Sequence, residues 1–202
     1  IRGRSHSLKV NYRTSHQIRR QSDRLLGQEL SDLDRVAEDR RGTVSAFNGP
    51  EPKVRALDSP EEEVRVVAEW LTGKAAEGVA AHEIGVFVRS EGQLNRATAA
   101  VSQAGLPYQL LNNGADSGGE QVSVSTMHHA KGLEFRAVVV MACDDEVLPL
   151  AERMATATDD AGMEEVYETE RHLLYVACTR ARDHLLVTSG DMPSEFLDDL
   201  RV

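Results

Sequence analysis

The sequence predicts an α/β fold, a mostly parallel sheet with helices on both faces, and three observations lead to it. Strand-like and helix-like patterns alternate along most of the 202 residues. Two strand-like runs, Ile84 to Val88 and Ala137 to Cys143, are almost continuously apolar, as in strands buried on both faces. Each helix-like run gathers its apolar residues on one side, which gives it a face to lay on such a sheet. A content of 41% hydrophobic and 28% charged residues suits a globular chain with enough apolar surface to offset the entropy of ordering. The length allows one domain or a domain and a fraction. With aromatics at 4%, aliphatic side chains must fill the core.

The elements follow in order. Leu8 to Val10 reads as a short strand. Thr14 and Ser15 can cap a helix whose face is Ile18, Leu25 and Leu26. Ser59, Pro60 and Glu62 supply an N-cap, a first-turn proline and the reciprocal carboxylate of a capping box, ahead of Val64, Val67, Ala68 and Leu71 on one face. Ile84 to Val88 is the next strand. Leu94, Ala97, Val101 and Ala104 mark a helix stopped by Gly105 and Pro107. Asn112 to Glu120, rich in Gly, is expected to be a surface loop or hairpin tip. Val122 to Thr126 and Ala137 to Cys143 are strands. A last long helix is expected from about Glu164, with Val166, Leu173, Leu174 and Ala177 inward, Glu164, Glu165 and Glu168 early and Arg180 and Arg182 late, complementing the helix dipole. Leu185 to Val187 closes with a strand.

Lys plus Arg number 23 against 33 Asp plus Glu, a formal charge of −10, which excludes a generally basic nucleic-acid coat. The charge is segregated. Residues 1–24 hold seven Arg or Lys against Asp23, or +6, whereas residues 144–170 hold ten acids against Arg153, or −9. The acidic stretch reads as a solvated loop, with a protein-docking surface as the alternative. The longest apolar run, Ala137 to Cys143, falls far short of the roughly 20 residues a membrane span needs. Cys143 and Cys178 can form neither a disulfide framework nor a four-ligand zinc site by themselves. As buried free thiols they suit a cytoplasmic protein. The chain opens at Ile1 without a Met or a charged-then-apolar leader and reads as a piece of something longer.

Two nucleotide-binding look-alikes fail on spacing or context. Gly73-Lys74 would need a Gly at position 68 and a Ser or Thr at position 75 to end a phosphate loop, and both positions are Ala. Val138 to Cys143 followed by Asp144, Asp145 and Glu146 imitates a magnesium-binding strand end, but no phosphate loop precedes it. The chain is therefore not expected to bind and cleave a nucleoside triphosphate alone.

Three other segments are far more specific. They are Leu8-Lys9-Val10-Asn11-Tyr12-Arg13-Thr14-Ser15, then Thr126-Met127-His128-His129-Ala130-Lys131-Gly132-Leu133-Glu134-Phe135, then Glu170-Arg171-His172-Leu173-Leu174-Tyr175-Val176-Ala177-Cys178-Thr179-Arg180-Ala181-Arg182. In that order they resemble motifs four, five and six of UvrD/Rep-like superfamily 1 helicases. The resemblance runs from about residue 8 to about residue 190. It implies a RecA-like three-layer sandwich, the second motor domain, occupying residues 1–202. The phosphate loop and magnesium site would belong to a first motor domain outside this chain. Many relatives carry a large accessory domain between motifs four and five. The 112 residues between Arg13 and Thr126 leave room for core βα units and little else, so the chain resembles compact members.

The resemblance assigns roles residue by residue. Arg13 and Arg180 would reach across an interdomain cleft to the γ-phosphate of ATP, a task that suits a planar, permanently charged guanidinium. Tyr12 would stack on adenine and Glu134 would accept hydrogen bonds from the ribose hydroxyls. Gly132 would permit close backbone approach in its turn. Thr126 and His128 would touch single-stranded DNA, and Lys131 would sense phosphate or DNA. Tyr175 and Thr179 would pack or hydrogen-bond within the motif-six helix, and His129 would be filling. ATP and Mg2+ would be held mainly by the N-terminal motor domain, and the isolated fragment would be inactive. Translocation 3′ to 5′ is the polarity the resemblance implies. A non-catalytic docking module using residues 144–170 is the reading from another class, and a nuclease-associated motor differs only in parts outside the chain.

Overall fold

The computed structural model describes residues 10–26, 44–111 and 119–201. The most apolar strand predicted, β7 (Phe135–Val140), lies inside a six-stranded sheet of order β3-β8-β7-β4-β6-β5 in which every pairing is parallel. Its neighbours are β8 (Ala181–Ser189) and β4 (Ile84–Val88). Beyond these lie β6 (Val122–Thr126) and the edge strands β3 (Lys53–Ala56) and β5 (Tyr108–Leu110). A separate parallel pair joins β1 (Val10–Asn11) to β2 (Val44–Ser45). Leu8 and Lys9 of the predicted first strand lie outside the described residues.

Alternation along β7 builds the layers. Val138 and Val140 face one core with α1 (His16–Ser22), α5 (Asp160–Cys178) and α6 (Phe196–Leu200). Ala137 and Val139 face the other with α2 (Pro60–Ala76) and α3 (Leu94–Gln103). The result is the expected α/β three-layer sandwich with helices on both faces. Among the described residues no helix is long and apolar enough to cross a membrane.

Several local expectations shift. Ser15, rather than Thr14, caps α1 by accepting from the Ile18 N–H. Leu25 belongs to a following 3-10 turn, Asp23–Leu25, and is still fully buried. At α2, Ser59 accepts from the Glu62 N–H at 3.1 Å, but the Glu62 carboxylate accepts from Asp58, one residue outside the cap, at 3.2 Å. Helix α5 starts at Asp160 because Asp159 caps it through the Gly162 N–H at 2.8 Å. Its early glutamates are therefore beyond the first turn. Arg180 lies past its C-cap, Thr179, and Arg182 lies in β8. The strands on either side of the loop or hairpin tip expected at Asn112 to Glu120, β5 and β6, run parallel; residues 112–118 lie outside the described residues.

The acidic stretch is not uniformly solvated. It includes α4 (Ala151–Met154) and most of α5, and two of its carboxylates are buried. Glu170 accepts from both Nε and a terminal nitrogen of Arg89, from Arg153 at 2.9 Å and from the Leu150 N–H at 3.3 Å. Asp144 pairs with Arg96 and accepts from the Gly190 N–H at 2.8 Å. Arg96 also pairs with buried Glu63, which accepts from the Ala142 N–H at 2.9 Å. These clusters tie the carboxyl ends of the strands to the flanking helices.

Candidate nucleotide cleft and nucleic-acid turn

At the amino ends of β7 and β8, two backbone junctions bring distant segments together. The Phe135 N–H donates to Arg180 O at 3.0 Å, and the Ser15 N–H donates to Arg182 O at 3.0 Å. The Thr14 hydroxyl adds a bond to Thr179 O at 3.4 Å. Glu134 immediately precedes β7, Arg180 immediately precedes β8, and Arg13 stands two residues before the α1 cap. All three side chains therefore reach one open cleft of about 560 Å³, together with Tyr12.

The two arginines are held differently. Arg180 donates through Nε to Val176 O at 3.0 Å, an orphan carbonyl of the last α5 turn, and through its terminal nitrogens to Leu133 O at 3.4 Å and Thr179 Oγ1 at 3.3 Å. Burial, then the like charge of Arg13, lowers its pKa, with Glu134 opposing. Its guanidinium stays charged at any ordinary pH. Arg13 reaches Glu134 from Nε at 3.1 Å, with the two side chains 52% and 46% exposed. Its backbone N–H donates to Asn11 Oδ1 at 2.8 Å, fixing the turn that presents it. Tyr12 is 70% exposed, its ring open to a planar ligand.

Other lining residues escaped the sequence reading. His172, Tyr175, Val176 and Thr179 form one wall, and Arg19 comes from α1. The spacing i, i+3, i+4, i+7 was the signal that places those four on one helix face. Thr179 bonds within the motif-six helix as expected, donating to Val176 O at 3.0 Å. The Tyr175 hydroxyl instead leaves that helix for Asp23 Oδ1 at 3.5 Å.

Thr126, His128, Lys131 and Gly132 are not among the residues lining the cleft. Thr126 ends β6 at the opposite, carboxyl edge, where open α/β sheets place ligand contacts. A 3-10 turn, Met127–Ala130, follows and carries His128 outward. Partial burial, then the Arg89 charge, lowers the His128 pKa, with Glu170 opposing, which favours the neutral ring. His129 is more than filling, since its Nδ1 lies 3.4 Å from Thr126 Oγ1. Lys131 is exposed. Gly132 adopts φ +86 with open space where a Cβ would sit, so left-handed backbone rather than close approach requires glycine there. Met127 to Glu134 thus forms a short crossover from the carboxyl end of β6 to the amino end of β7.

Known proteins resemble this chain in part of its sequence and in its fold. The model of the UvrD-like helicase C-terminal domain family matches residues 109–191. The chain is 38% identical over 90 residues to the ATP-dependent DNA helicase PcrA of Staphylococcus epidermidis, a match covering 39% of this chain and 12% of that protein. For PcrA of Staphylococcus aureus the identity is 37% over 90 residues, with the same coverage. The chain thus spans only about an eighth of the curated relatives it matches. Its fold is similar to the crystal structure of the C-terminal domain of a possible DNA helicase from Lactobacillus plantarum WCFS1, with a TM-score of 0.64, 21% identity, and coverage of 95% of this chain and 94% of that one. Residues 109–191, which include Thr126 to Glu134 and Arg180, are thus similar to the UvrD-like helicase C-terminal domain family, and the parallel three-layer fold is like that of a solved helicase C-terminal domain.

Proposed function

We propose that this chain is the second motor domain of an ATP-dependent DNA helicase or translocase, supplying Arg13 and Arg180 to ATP held by a first motor domain. The observation that carries this reading is the convergence of Tyr12, Arg13, Glu134 and Arg180, from three distant segments, on one open cleft. The cleft suits an anionic, aromatic ligand. Arg13, Arg19 and Arg180 supply cationic groups, and Tyr12 an exposed ring. Glu134 is the sole carboxylate among the lining residues, so Mg2+ is assigned to the first domain.

Phosphoryl transfer depends mainly on placing positive charge where negative charge develops. Arg180, already fixed by Val176 O, Leu133 O and Thr179 Oγ1, would do so with little reorganisation. Tyr12 would stack on the base and Glu134 would take the ribose hydroxyls. At the other edge Thr126, His128 and Lys131 would contact single-stranded DNA, His128 as a neutral hydrogen-bonding ring. The crossover from Met127 to Glu134 would link DNA to nucleotide. Closure and reopening between the motor domains would then step the strand along.

The test is ATP turnover, with and without single-stranded DNA, by this 202-residue chain alone and joined to a phosphate-loop motor domain. DNA-stimulated hydrolysis is expected only when they are joined. Turnover by the isolated chain would show that its site is not shared.

A further inference from the structure

We propose that Glu134 is a latch on Arg13 that the ribose hydroxyls release, so that the sugar as well as the phosphates frees this arginine for hydrolysis. The inference rests on the reading of Arg13 as a γ-phosphate ligand and adds a regulatory step to that site. Arg13 Nε lies 3.1 Å from Glu134 Oε1 across the mouth of the cleft. Arg180, by contrast, is held by two carbonyls and a hydroxyl, neutral acceptors that do not compete with phosphate on charge.

Arg13 cannot serve the carboxylate and a phosphate equally well. A phosphate chain entering alone meets Glu134 as a rival anion that holds Arg13. A ligand that also carries neighbouring hydroxyls can donate them to the Glu134 oxygens, keeping the carboxylate satisfied once Arg13 leaves. The exchange is accessible because both side chains are about half exposed, and pairs in such surroundings are weak. The backbone stays still: the next residue, Phe135, is bonded to Arg180 O at 3.0 Å, so only the side chains of Glu134 and Arg13 need to move. Release of Arg13 matters in the transition state, so sugar recognition is expressed in kcat as well as in KM.

The experiment compares steady-state hydrolysis of ATP and 2′,3′-dideoxy-ATP by the protein as encoded, in wild type, Glu134→Gln and Arg13→Ala. Wild type is expected to lose about three- to fivefold in kcat with the dideoxy nucleotide, the size a half-exposed pair can impose. In Glu134→Gln, which has no charge to hold the arginine, the two kcat values should agree within about twofold, while KM for ATP rises. A wild type in which the dideoxy nucleotide changes KM alone overturns the latch. So does a Glu134→Gln variant that keeps the full kcat ratio. If Arg13→Ala leaves kcat for ATP unchanged, the γ-phosphate reading of Arg13 fails and the latch with it; a large loss there alongside a preserved ratio in Glu134→Gln removes the latch alone.

Discussion

At the carboxyl side of the sheet, Glu170 is fully buried and accepts from Arg89, Arg153 and the Leu150 N–H, while Glu63 and Asp144 share Arg96. At the amino side, Arg13 and Glu134 are each about half exposed and share one contact beside an open cleft. Both regions are built from arginine and carboxylate, yet their energetics differ. Removing one member of a buried pair strands a charge and costs about 3–5 kcal/mol. Separating an exposed pair costs about 0.2–1 kcal/mol. The buried charges are therefore architecture, and the exposed ones can exchange partners with a ligand.

The largest expected effect follows from Glu170→Ala, which leaves Arg89 buried without its carboxylate. Stability should fall by about 3–5 kcal/mol in denaturant titration. A loss below about 1 kcal/mol would erase the contrast between the two ends. The same carboxylate makes the contrast depend on pH. Burial raises its pKa, but the hydrogen bond and charge of Arg89, together with the Leu150 N–H and Arg153, more than offset this, leaving the folded value below the ordinary 4.5. Its contribution is then present above the ordinary carboxylate range and lost as pH falls through the depressed folded value. The stability gap between wild type and Glu170→Gln should accordingly be widest near about pH 6 and narrow below about pH 4.5. A gap that widens on acidification would reverse the sign.

A smaller loss is expected at Gly190. A Cβ there would collide with an Arg96 terminal nitrogen and lie 2.9 Å from both Pro60 Cα and Ser59 O. Gly190→Ala should therefore cost about 1–3 kcal/mol in thermal unfolding, by crowding the Arg96 cluster. The smallest effect belongs to the cleft. Glu134→Gln should change stability by less than about 1 kcal/mol, and a larger loss would make that pair structural too.

Much of the site was legible because its residues sit in contiguous motifs. Tyr12, Arg13, Glu134 and Arg180 were singled out together and meet in the cleft. The core strands were legible from their apolar runs. The edge strands were not: Lys53 to Ala56 is mostly exposed and has no apolar stripe to betray it. Nor was the burial of Glu170, whose partner Arg89 lies 81 residues away. Local charge counting merged that carboxylate with its solvated neighbours, although its environment is set by a contact between a strand end and a helix. The start of α5 was misplaced for a local reason, since capping by Asp159 outweighed the later onset of the apolar stripe.

The central claim is that Arg180 acts on the transition state of ATP hydrolysis, and Arg180→Ala in the protein as encoded tests it most directly, with kcat and ATP affinity measured separately. The expected result is a fall in kcat on the order of 10³ with affinity changed only a few-fold. Equal losses in both, or an unchanged kcat, would contradict it.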